Sequence, residues 1–140
     1  MGYTHHWIQT SMPDDAAWKV IREDVLSIIR ASDVPVIGYT GTAASLPGPV
    51  DGAIHFDGVG ADALETFRMT QGGIEHGFCK TGERPYDVIV AAIMCYLASI
   101  TDFYEIRSFD QDDYAVGLAL ARRALPQHAE RLQAPDLHDE

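Results

Sequence analysis

The segment Phe78-Cys79-Lys80-Thr81-Gly82-Glu83-Arg84-Pro85-Tyr86-Asp87 gathers more reactive side-chain types than any other stretch of the chain. It reads as a loop running into the start of an apolar helix, where the first amide N–H groups lack intrahelical acceptors and the dipole is positive. Lys80 and Arg84 place two of the chain's ten basic residues there, Thr81 adds a hydroxyl, and Tyr86 adds a ring able to stack on a base. These types predict a site for a small anion, with a nucleotide phosphate as one candidate. It is not a P-loop, because G-x-x-x-x-G-K-[ST] is absent. The plainer reading has Thr81 and Asp87 capping the helix while Lys80 and Arg84 pair with acids such as Glu83.

Other residues carry weaker signals. Cys79 would be an activated thiol if the helix start and Lys80 lowered its pKa, with His5, His6 or His76 as base. His5 and His6 are adjacent, so a regular strand sends them to opposite faces, His5 with Tyr3 and Trp7, His6 with Thr4 and Ile8. One of them in a pocket would be an acid, base or donor; the plainer reading is a half-buried ring among aromatics. If 64–70 alternates, Glu65 shares a face with Phe67 and Met69 and becomes either a pocket acid or the mark of a register shift. No H-x-x-x-H, H-E-x-x-H or C-x-x-C spacing occurs, so no metal and no cofactor is predicted, although His5 or His6, His55 and His76 could converge in space. Cys95 lies in an apolar run and reads as core.

The elements that position these residues follow from periodicity. A strand is expected over 2–9. A helix follows, with Ser11 as cap and Trp18, Ile21, Val25 and Ile28 at helical spacing. Val34 to Tyr39 reads as a strand and 40–52 as a loop. Ala53 to Asp57 and Leu64 to Thr70 read as a hairpin, and the Gly-rich 71–84 as a second loop. Pro85 opens the apolar helix, Phe103 to Phe109 is a strand, and a last helix from Asp112 stops before Pro126. The order β-α-β-β-β-α-β-α predicts an α+β two-layer sandwich, a mainly antiparallel sheet with helices on one face. It forms one domain over 1–126, with 127–140 as a flexible acidic tail.

With 140 residues, ten Lys and Arg against twenty-one Asp and Glu, and a net charge of −11, the chain is ill suited to duplex nucleic acid or an anionic membrane. No apolar run reaches membrane-spanning length, and the first residues show no basic, apolar leader pattern. Two cysteines, read as free thiols, predict a cytoplasmic protein.

Three blocks together carry a resemblance: Tyr3-Thr4-His5-His6-Trp7, Glu65-Thr66-Phe67, and Phe78-Cys79-Lys80-Thr81 with Pro85-Tyr86-Asp87. The chain resembles a widespread family of small proteins of phages, large viruses and bacteria with Y-T-H-x-W, E-T-F and F-C-K-T-x-x-[KR]-P-Y-D blocks. His6 stands where that family usually has Tyr, Asp57 where it has Asn, and Arg84 where it has Lys. The resemblance implies a phage-type accessory context and carries no established activity.

Three functions follow in order. The first is a protein binding an anionic small molecule at the loop before Pro85. Lys80, Thr81 and Arg84 would meet charged oxygens, Tyr86 or Trp7 would stack, Glu65 or His5 would orient the ligand, and Cys79 would line the site. The second is an acidic interaction module or inhibitor of a host protein, with self-association through an exposed sheet edge or face. The third is a hydrolase or transferase using Cys79 or a His–Glu pair; the expectation leans away from an enzyme.

Overall fold

From Thr4 to Ile8 of β1 (Thr4–Gln9) side chains alternate between half-buried and buried, which sets one face of a three-stranded sheet against the core. The computed structural model describes residues 4–38, 53–72, 76–82, 84–107 and 114–135. After β1 come α1 (Asp15–Ala31), β2 (Val36–Gly38), β3 (Ile54–Gly58), β4 (Phe67–Met69), β5 (His76–Lys80), α2 (Asp87–Ile100), β6 (Tyr104–Ile106) and α3 (Tyr114–Ala124). Short 3-10 turns cover Gly60–Asp62 and Pro126–His128. The strands form two antiparallel sheets, β5-β1-β6 and β2-β3-β4, and the whole is a single small α+β domain.

The expected α+β class and antiparallel pairing stand; one strand was not foreseen. The segment read as a loop over 71–84 contains β5, paired along β1 with His5 opposite Cys79 and Trp7 opposite Gly77. Gly77 misled the reading because it is not a turn glycine. A Cβ there would lie 2.1–2.4 Å from the Trp7 indole, so the position is small because the ring covers it. The helix before β2 is capped by Asp14, not Ser11: its side chain accepts from the Ala17 N–H at 2.8 Å. The tail expected from 127 onward is anchored at first, with Leu132 fully buried and its carbonyl accepting from Arg122 Nη2 at 2.8 Å. The loop over 40–52, the start of the first strand and residues 136–140 lie outside the described residues.

The core is organised by α2, whose residues from Ile89 to Leu97 are all buried. This helix packs on β1, β6 and α3. Gly117 lets α3 approach closely, since a Cβ there would meet Ala91 Cβ at 2.6 Å. Trp18, Ile21, Val25 and Ile28 turn inward from α1 as their spacing requires. A run of rings joins the two sheets: Trp7 to Phe67 at 5.1 Å, Phe67 to Phe56 at 5.1 Å, and Phe56 to Tyr86 at 6.5 Å. Among the described residues no helix is long and apolar enough to cross a membrane.

Candidate functional site

The chemistry-bearing residues divide between the two faces of the β5-β1-β6 sheet. On the inner face, alternation buries His5, and its Nε2 lies 2.8 Å from Asp87 Oδ1. Asp87 is the first residue of α2, and the hydroxyl of Thr81 donates to the same carboxylate oxygen. Two backbone bonds fold 81–87 back onto the strand, Arg84 N–H to the Thr81 carbonyl at 2.9 Å and Asp87 N–H to the Arg84 carbonyl at 2.8 Å. Gly82 supplies the left-handed φ of 58° that this turn requires. Tyr114, from α3, reaches His5 Nδ1 with its hydroxyl at 3.4 Å. The geometry suits Nε2–H donating to Asp87 while Nδ1 faces the Tyr114 hydroxyl.

A histidine oriented by a carboxylate is half of a general-base arrangement. Here both ring nitrogens already have protein partners, and His5 is only 1% exposed. Thr81 donates to the carboxylate rather than to the imidazole, so its oxygen is not activated. The cluster therefore works as a satisfied buried polar network tying β1, the end of β5, α2 and α3 together.

Glu65 is neither a pocket acid nor part of a strand. It lies exposed ahead of β4, and its Oε1 accepts from the Lys80 N–H at 2.6 Å. Its carbonyl accepts from Tyr86 Oη at 2.5 Å and from Cys79 Sγ at 3.5 Å. Glu65 thus fastens the 58–66 connection to β5, while Asp57 braces it from within by accepting from the Gly58 and Leu64 N–H groups and the Thr66 hydroxyl. Burial, with the Glu65 carboxylate nearby, pushes the Cys79 thiol up to about 12. A thiol so held is protonated at neutral pH, which corrects the expectation of an activated nucleophile. Burial also raises the Tyr86 hydroxyl.

The outer face of the same sheet is built differently. His6 stacks on Phe78 with centroids 4.1 Å apart and planes 8° from parallel. His76, also on β5, lies beside His6 with ring centroids 5.6 Å apart and planes 23° from parallel, its Nδ1 lying 3.4 Å from His6 Nε2. Phe78 is 57% exposed. Lys80 lies two residues further along β5, and Arg107, whose N–H donates to the His6 carbonyl, flanks the stack from β6's side. Arg107 also pairs with Glu105 at 2.8 Å. Burial, then the charges of His76 and Arg107, hold the His6 pKa below its ordinary value, so the ring is neutral at pH 7.

The eight residues expected to form one site thus do not share a pocket. Trp7, His5, Cys79, Thr81 and Tyr86 are interior, whereas Glu65, Lys80 and Arg84 are exposed. Lys80 and His5 sit one register step apart on paired strands, and the period of two turns their side chains to opposite faces. Tyr86 and Trp7, expected to stack on a ligand, pack instead within the core, Tyr86 edge-on to Phe56 and Trp7 tilted against Phe67. The sequence reading missed Tyr114 and the His6–Phe78 platform. The alternation His76-Gly77-Phe78-Cys79-Lys80 was the signal for that platform, hidden by Gly77. Among the described residues no group of three His, Cys, Asp or Glu side chains is placed to hold a metal ion. No protein-family model, curated protein or solved structure matches this chain.

Proposed function

We propose that this chain is a binding protein for a small planar anion of the nucleoside-phosphate class, taken up on the outer face of the β5-β1-β6 sheet. The observation that carries the reading is the parallel His6–Phe78 stack, more than half exposed at Phe78, with Lys80 and Arg107 beside it. A base extends the stack over Phe78, a contact worth roughly 1–3 kcal/mol per base. Lys80, one step along the strand, meets the phosphate, and Arg107 adds positive potential where the chain as a whole carries −11. That overall charge favours a short ligand over a polymer, whose phosphates the rest of the surface would repel.

The reading keeps the small anionic ligand expected from sequence and moves its site from the turn before Pro85 to the sheet face. Thr81 is spent on Asp87, and the carboxylate of Asp87 sits where an anion at the helix start would have to approach. Two buried free thiols suit a reducing cytoplasm. The resemblance to small phage, viral and bacterial proteins would make the ligand a soluble nucleotide of the host cell. Calorimetric titration with a panel of nucleoside mono-, di- and triphosphates tests this. Saturable 1:1 binding, weakened tenfold or more in Phe78→Ala with an unchanged far-UV spectrum, is expected. Affinity equal in wild type and Phe78→Ala would overturn it.

A further inference from the structure

We propose that His6 and His76 form a two-imidazole site for a divalent transition-metal ion of the Zn2+ type on the outer face of the β5-β1-β6 sheet. The two rings come from different strands, His76 standing opposite Ile8 and so diagonal to His6. His6 Nε2 and His76 Nδ1 are 3.4 Å apart. Two imidazole nitrogens bound at about 2.0–2.1 Å to one tetrahedral zinc lie roughly 3.3–3.4 Å from each other. The pair is thus already spaced as two zinc ligands, the ion sitting about 1.1 Å to the open side of the line that joins the two nitrogens. Phe78, stacked on His6, holds that ring in place from behind.

The surroundings fit the ion. His76 is exposed and His6 half-buried, so an ion can reach both nitrogens from solvent. Arg107 opposes a cation nearby, and its pairing with Glu105 at 2.8 Å offsets part of that charge. When the ion enters, the ring that donates shifts its proton to its other nitrogen. Two coordination positions remain for water or for an oxygen of a bound ligand, as in open rather than closed sites.

This inference stands apart from nucleotide binding, because the probe is the metal alone. Zn2+ is titrated into the full chain and followed by long-range 1H–15N spectra of the imidazole rings, in wild type, His76→Ala and His6→Ala. Saturable shifts of the His6 and His76 rings are expected, with buried His5 unmoved as the internal reference. His76→Ala, at an exposed position, should keep the fold and lose at least tenfold in affinity. Shifts confined to other histidines, or Zn2+ affinity unchanged in His76→Ala, would overturn it. A chain that binds Zn2+ at this pair and no nucleotide would leave this site standing and remove the function proposed above.

Discussion

The indole of Trp7 lies over Gly77 on the neighbouring strand, so close that a Cβ built on Gly77 would sit 2.1 Å from Trp7 Cε2. Gly77→Ala must therefore push the ring out of a core it shares with Phe67. A loss of about 1–3 kcal/mol is expected, as for other overpacked sites. Urea unfolding followed by tryptophan fluorescence measures it, and an unchanged midpoint would mean the ring has room to shift.

Glycine 117 makes the parallel case between helices. Gly117→Val would drive two methyl groups into Ala91, and α3 would have to lift from α2. Thermal unfolding should show a lower Tm than for Val116→Ala, a change at a neighbouring exposed position.

Removing Asp87 leaves His5 and Thr81 buried without their shared acceptor. Asp87→Ala should cost roughly 1–3 kcal/mol or more, the penalty of orphaned buried donors. Because the network faces inward, the folded fraction of this variant should bind nucleotide as the wild type does. Combined denaturation and calorimetry separate the two effects.

The thiols give a pH signature. Cys79 and Cys95 are both raised to about 12 by burial, against an ordinary value near 9. The folded state therefore holds these protons more tightly than the unfolded state. Their stabilisation is complete below pH 9 and is lost as pH rises from 9 towards 12. Tyr86, Tyr96 and Tyr104 are shifted the same way by burial and steepen the alkaline loss. Urea midpoints should be flat between pH 7 and 8.5 and fall above 9. In native buffer both thiols should resist a disulfide reagent that labels them at once in denaturant.

Much of this architecture was legible from local pattern. The Trp18–Ile21–Val25–Ile28 spacing fixed the buried side of α1, and the unbroken apolar run after Asp87 marked α2 as central. What escaped was long-range. His5 and Asp87 are 82 positions apart, and nothing local says that their side chains share a proton. Tyr114 is further still, at 109. The turn-like glycine at 77 owes its size to a ring 70 residues earlier, so a rule that treats glycine as punctuation hid the strand carrying Phe78 and Lys80. Once β5 is a strand, the period of two alone separates Lys80 from Cys79 and dissolves the single site expected there.

The two candidate positions for an anion are distinguished by a pair of substitutions. Lys80→Ala should weaken nucleotide binding several-fold, with the deficit shrinking at high salt. Arg84→Ala should change it little, since Arg84 belongs to the turn before α2. The reverse ranking would return the site to the helix start.

Amide chemical-shift mapping during a nucleotide titration addresses the central claim most directly. Perturbations clustered on Thr4, His6, Ile8, Phe78, Lys80 and Arg107 are predicted, with Thr81, Asp87 and Tyr114 still. Shifts centred on Arg84 to Asp87, or none at saturating nucleotide, would contradict it.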